Sequence, residues 1–199
     1  MIYLSDYIKI FKAFTDKECD YILDCIQNNT HIDDFLASQT GSKQDGVVSD
    51  ARTSQSANVI AGSELDNLLY DRVQKSYNKW LQLIPQQMAK VWSGYYFDLI
   101  DEGYQINRYT KSQYYDFHLD LLKDANHGNR VLSLCFYIND NYTGGELEFP
   151  FMSYKPTKGS AVVFPSTWLY PHRSAPIISG TKYSIVTWFL ENDFVMERR

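Results

Sequence analysis

No stretch of this 199-residue chain approaches the run of about 18 apolar residues that a membrane-spanning helix requires. The opening MIYLSDYIKIF lacks the basic start and apolar run of a secretory leader. Cysteine is sparse. Cys19, Cys25 and Cys135 are odd in number and carry no metal-type spacing, so no paired disulfide framework is expected. Reduced structural thiols in a cytoplasmic compartment fit better. Cationic residues are outnumbered, 19 Lys and Arg against 24 Asp and Glu, for a net charge of −5. That leaves no basic stripe for nucleic acid, and neither a nucleic-acid nor a membrane partner is expected. The chain shows no internal repeat and no low-complexity run.

What is present suits a globular domain. Apolar residues make up 44% and charged residues 22% of the chain. The length accommodates one domain, 1–199, with a sizeable core. Aromatics reach 16%, led by 16 Tyr, a content common in strands.

Two helices are legible early. FTDKECDYILDCIQN has Thr15 as cap, Glu18 completing a capping box, and an apolar stripe of Tyr21, Ile22, Cys25 and Ile26. SELDNLLYDRVQKSYNKWLQL has Ser63 as cap and Leu65, Leu69, Val73, Tyr77, Trp80 and Ile84 as its stripe, and Pro85 stops it. Between them, residues 29–62 read as a long polar loop with room for a short strand. Loops of that length in a compact domain are usually functional or disordered. The part over 38–56 is expected to be mobile without substrate, because it offers little apolar burial.

After residue 90 the pattern turns to short β-branched or aromatic segments punctuated by Gly, Pro, Asn and Asp: YQINRYT, QYYDFHL, RVLSLCFYI, ELEFP, GSAVVF and KYSIVTWFL. The expected class is α+β, with helical support and a substrate loop over 1–90 and a strand-rich core over 91–199.

The chemistry-bearing residues lie in that second part. His118 and Asp120 stand two apart, a spacing that aims both side chains from one face of a strand. His172 follows 54 residues later in WLYPHRSAP. Two imidazoles and a carboxylate on one face of a metal ion form the facial triad of non-haem Fe(II) oxygenases. His31 and His127 sit in polar contexts and read as surface residues. Lys182 begins an otherwise apolar strand ten residues after His172. Its ammonium there needs a partner, and a bound dicarboxylate would supply one.

In order, these residues resemble the Fe(II)- and 2-oxoglutarate-dependent dioxygenases, and among them the prolyl 4-hydroxylase family. INRYTKSQYYDFHLD, YINDNYTGGELEFP, KGSAVVFP, DARTSQSANV and FTDKECDYIL resemble corresponding family segments, so the resemblance covers nearly the whole chain. It implies a double-stranded β-helix, or jelly roll, with N-terminal helices packed on one sheet. It implies Fe(II) held by His118, Asp120 and His172, 2-oxoglutarate and O2 as cosubstrates, and ascorbate supporting activity. It implies that Lys182 binds the distal carboxylate of 2-oxoglutarate, assisted by Tyr109 or Tyr137, with Leu147 and Trp188 lining the pocket. Leu147 departs from the family's usual Thr and removes one hydrogen bond. Arg52, Ser54, Glu102 and Arg130 become candidate substrate-binding residues. The implied reaction is hydroxylation of proline in a peptide or protein, with release of succinate and CO2. The alternatives are the same chemistry on a non-prolyl side chain, free amino acid or metabolite, a non-catalytic jelly-roll binding module, and a zinc hydrolase.

Overall fold

The computed structural model describes residues 2–39, 50–96, 99–121, 123–124 and 128–191. Much of the 38–56 loop, and His127, lie outside the described residues.

Both expected helices form where their caps direct. Helix α1 (Asp16–Asn28) starts at Thr15, whose hydroxyl accepts from the Glu18 N–H while the Glu18 carboxylate accepts from the Thr15 N–H. Two otherwise unpaired backbone donors are thereby satisfied. Helix α2 (Glu64–Leu83) starts at Ser63, and Leu65, Leu69, Val73 and Trp80 are buried along one face. Pro85 ends α2 but also opens a third helix, α3 (Gln86–Tyr95), which the sequence reading did not contain. Proline suits a helix start because the N–H it lacks has no helical partner there.

The strands are β1 (Lys9–Lys12), β2 (Leu36–Ala37), β3 (Gln55–Asn58), β4 (Leu99–Asp101), β5 (Gln105–Tyr109), β6 (Tyr115–His118), β7 (Lys123–Asp124) and β8 (Gly128–Tyr137). They continue with β9 (Thr143–Gly144), β10 (Leu147–Phe149), β11 (Met152–Tyr154), β12 (Ser160–Pro165), β13 (His172–Ser174), β14 (Ile177–Ser179) and β15 (Lys182–Glu191). The major sheet runs β1-β12-β8-β15-β5-β3-β2, with β4 on β15 and β7 on β8. The minor sheet runs β11-β10-β13-β6, and β9 pairs with β14. This is the jelly roll that the resemblance implies, with one correction. The first ninety residues hold more strand than the one short segment expected in the 29–62 loop, because β1, β2 and β3 all belong to the major sheet.

Period-two alternation divides the major sheet into two faces. On β8, Leu132, Leu134 and Phe136 pack with Cys19, Ile22, Leu65, Leu69 and Trp80 of the helices. On the opposite face, Cys135 and Tyr137 pack with Leu147 and Phe149 of the minor sheet. Each such aliphatic or aromatic side chain removed from water contributes about 1.5–3 kcal/mol. The helices thus clamp one face of the sheet and leave the other to line a cleft.

Candidate active site

The cleft lies between the two sheets, and its volume is about 580 Å³. Strand β15 contributes Lys182, Ser184, Val186 and Trp188 to its wall, while Ile185 and Phe189 point into the helix-side core. Cys135 and Tyr137 enter from β8, Tyr109 and Asn107 from β5, Leu147 from β10, and His172 and Ser174 from β13.

His118 and His172 are direct register partners across β6 and β13. Strand β6 ends at His118, so Asp120 is placed by the chain beyond the strand. The expectation that His118 and Asp120 share one strand face is corrected in that respect. The three still converge, with one ligand atom from each within 4.8 Å of the others. His118 Nε2 is 3.6 Å from Asp120 Oδ1, and His172 Nε2 is 3.5 Å from Asp120 Oδ2.

The surrounding groups fix the donor atoms. His118 Nδ1 lies 2.8 Å from the Asp116 carbonyl, and His172 Nδ1 lies 3.1 Å from the Tyr170 carbonyl. A carbonyl only accepts, so Nδ1 carries the proton in each ring. In the neutral ring the Nε2 lone pair then faces the carboxylate. Burial pushes His172 down to about 4, against the pull of Asp120, so this ring is neutral at physiological pH. Burial raises the Asp120 carboxyl, but His172 and His118 outweigh it and hold the group far below its usual range. Among the described residues the buried indole N–H of Trp188 has no partner at hydrogen-bond distance, yet it lies close enough to assist that lowering. Two imidazole lone pairs aimed at one ionised, buried carboxylate make a donor set that fits a divalent metal such as Fe(II).

Lys182 is also buried, at 2% exposure. Its Nζ donates to the Gly145 carbonyl and to the Ser174 hydroxyl, each at 2.8 Å. The rings of Tyr109 and Tyr137 stand with their centroids 5.2 Å from it. Burial pushes the ammonium down to about 7. An ammonium with neutral partners in an apolar wall fits an anionic cosubstrate. Gly145 makes the approach possible. Its φ is +69°, and a Cβ there would stand 2.5 Å from Ile177 Cδ1 and 3.2 Å from Lys182 Cδ.

Three of the four substrate-binding candidates, Arg52, Glu102 and Arg130, line the same cleft, whereas Ser54 is buried against Arg52, and their hydrogen bonds are largely internal. Arg52 donates from Nε to Ser54 Oγ at 3.2 Å, from Nη1 to the Gln39 carbonyl at 3.1 Å, and from Nη2 to Gln105 and Asn107 at 3.0 and 2.7 Å. Ser54 in turn donates to Ser38 at 2.9 Å. Both hold the cleft wall together, which differs from the expectation of free donors. Arg130 grips Glu102 with two hydrogen bonds, 2.5 Å from Nε and 2.9 Å from Nη2. Its guanidinium carbon lies 3.6 Å from the centre of the Trp188 ring system.

Ser174, Cys135 and Tyr115 are among the lining residues that the sequence did not single out. Ser174 follows His172 by two and Cys135 precedes Tyr137 by two, so the alternation already applied to His118 would have found both. Tyr115, also in the lining, stacks on His118.

This fold and donor set fit an iron-dependent oxygenase, and the chain is similar to known proteins of that kind. Residues 104–190 match the family model described as the 2OG-Fe(II) oxygenase superfamily. The chain is 28% identical to prolyl 4-hydroxylase 1 of Arabidopsis thaliana, over 94% of this chain and 68% of that protein. It is 31% identical to a putative prolyl 4-hydroxylase of Acanthamoeba polyphaga mimivirus, over 47% of this chain and 46% of that one. Its fold is similar to that of the viral collagen prolyl hydroxylase of Paramecium Bursaria Chlorella virus-1 in its 2OG complex. There the TM-score is 0.67 at 21% identity, covering 92% of this chain and 95% of that one. The prolyl hydroxylase of Trichoplax adhaerens, solved with a hypoxia inducible factor peptide, gives 0.67 at 17% identity, covering 94% and 84%. Residues 104–190 are thus similar to the 2OG-Fe(II) oxygenase superfamily, and the named relatives that the chain resembles are prolyl 4-hydroxylases.

Proposed function

We propose that this chain hydroxylates proline in a peptide or protein. Fe(II) is held by His118, Asp120 and His172, 2-oxoglutarate is anchored by Lys182, and O2 is the oxidant. The observation that carries this reading is the placement of the buried triad and the buried lysine in one cleft. Exposed Asp33, Leu36 and Leu119 line the same cleft, so it reaches the surface, as a peptide substrate requires.

Bound there, Fe(II) with 2-oxoglutarate and O2 supplies the chemistry that replaces a C–H hydrogen by hydroxyl and yields succinate and CO2. The chain's own residues do the rest. Asp120 brings the anionic ligand, and the backbone carbonyls on Nδ1 keep the Nε2 atoms of His118 and His172 unprotonated. Lys182 pairs with the distal carboxylate, and Tyr109, Tyr137, Leu147 and Trp188 wall the cosubstrate from water. Arg130, fixed by Glu102 and Trp188, stands at the cleft to meet a peptide carbonyl, and Arg52 with Ser54 shapes the wall the peptide runs along. Ascorbate keeps the iron reduced. A reducing cytoplasmic setting suits the three buried unpaired cysteines. Among the described residues no helix is long and apolar enough to cross a membrane.

The test is succinate release from 2-oxoglutarate with Fe(II) and ascorbate, with and without proline-rich peptides, coupled to peptide mass spectrometry. Peptide-stimulated succinate and a gain of one oxygen on proline are expected. Stimulation by a free amino acid alone would move the substrate to the small-molecule reading.

A further inference from the structure

The corner of the cleft around Lys182 contains a hydroxyl that neither the triad nor the lysine explains. Ser174 is buried, at 8% exposure, and lines the cleft two residues beyond His172. Its Oγ accepts from Lys182 Nζ at 2.8 Å. A serine hydroxyl that accepts keeps its own proton free to donate. Lys182 has a second acceptor in the Gly145 carbonyl at 2.8 Å, which leaves the third ammonium N–H unassigned. The two free donors therefore sit on adjacent atoms. Directly across from Ser174 in the β10–β13 register is Leu147, which also lines the cleft and offers no hydrogen bond.

We propose that Ser174 is a cosubstrate-binding residue, donating its hydroxyl to the same distal carboxylate that Lys182 neutralises. The inference rests on the 2-oxoglutarate reading of this cleft. A carboxylate has two oxygens, and an ammonium and a hydroxyl 2.8 Å apart can engage both. Pairing with Lys182 also orients the hydroxyl before the ligand arrives, so little rotamer entropy is lost on binding. Seating the carboxylate between a fixed cation and a fixed donor makes the site selective for a dicarboxylate over a 2-oxo acid that ends in a methyl group. Ser174 lies on the strand that carries His172, so the metal end and the carboxylate end of the site share one rigid element.

The experiment is calorimetric titration of Mn(II)-loaded protein with 2-oxoglutarate and, separately, with pyruvate, which has the chelating end but no distal carboxylate. Wild type, Ser174→Ala and Ser174→Thr are compared. Losing a hydrogen bond to a charged group is expected to weaken 2-oxoglutarate binding by about tenfold or more in Ser174→Ala. Pyruvate binding should stay unchanged, and the threonine variant should retain most of the 2-oxoglutarate affinity. Unchanged 2-oxoglutarate affinity in Ser174→Ala would overturn the proposal, as would equal weakening of both ligands. Wild type that binds metal but not 2-oxoglutarate would refute the underlying reading of the cleft instead.

Discussion

The Tyr115 ring stacks on the imidazole of His118, with centroids 3.5 Å apart and planes 11° from parallel. Arg52 also lies over the tyrosine, its guanidinium carbon 4.7 Å from the ring centroid. A metal-ligating imidazole is thus held on its flank as well as by its Nδ1 hydrogen bond. Removing an outer support of a metal ligand costs roughly 10–100-fold in metal affinity or activity. Tyr115→Leu should therefore weaken Fe(II) or Co(II) binding by about tenfold, read by titration of the metal-free protein. Affinity equal to wild type would show that the carbonyl alone fixes the ring.

Asp120 is the only anion of the triad. Asp120→Ala leaves two neutral imidazoles, which hold a divalent ion poorly, so turnover and metal binding should both be lost. Metal content by mass spectrometry under native conditions reads the binding directly. Full metal occupancy with normal turnover would remove this triad from consideration.

The pH dependence of 2-oxoglutarate binding follows from Lys182. Burial lowers its ammonium to about 7, whereas an unfolded lysine holds its proton to about 10.4. Between those values the unfolded chain binds the extra proton, so this residue makes ligand-free stability rise with pH above about 7. Binding runs the other way, because the carboxylate requires the charged form. Affinity for 2-oxoglutarate should fall as pH rises above about 7, by up to about tenfold per unit. Calorimetry at pH 6.5, 7.5 and 8.5 measures the slope, and Lys182→Met should abolish it along with most of the affinity. A flat profile in wild type would mean that another group carries the anion.

Arg52 presents the clearest contrast between a role read from sequence and one read from packing. Its side chain ties Ser54, Gln39, Gln105 and Asn107 together, and it is 9% exposed. Arg52→Ala strands two buried acceptors, Ser54 Oγ and Asn107 Oδ1, each costing about 1–3 kcal/mol when unpaired. The denaturation midpoint should drop measurably, and peptide-stimulated turnover should weaken while slow peptide-independent decarboxylation persists. Arg130→Ala should weaken peptide turnover with a smaller loss of stability. Wild-type stability in Arg52→Ala would contradict the wall-building role.

Much of this was legible in the sequence because the signals were local. Thr15 and Ser63 announce their helices, and the alternation of β8 and β15 needs only ten residues each to show. The triad was legible as residue types in order. Its geometry was not, because Asp120 lies past the end of β6 and the loop path that brings it back has no periodicity. Helix α3 was hidden by Pro85, which marks a stop and a start alike, and it has no buried residue to give it a stripe. Strand β13 spans three residues, too few for any pattern, yet it places both His172 and Ser174. The internal bonding of Arg52 depends on Gln105 and Asn107, more than fifty residues away, a pairing that only the β3–β5 ladder creates.

The most direct test of the account is mass spectrometry of a proline-rich peptide after incubation with the protein, Fe(II), 2-oxoglutarate, ascorbate and ¹⁸O2. The account predicts one ¹⁸O atom on a proline ring, formed in step with succinate and absent with Asp120→Ala. Succinate formed at full rate across a broad peptide panel, with no labelled proline in any of them, would contradict it.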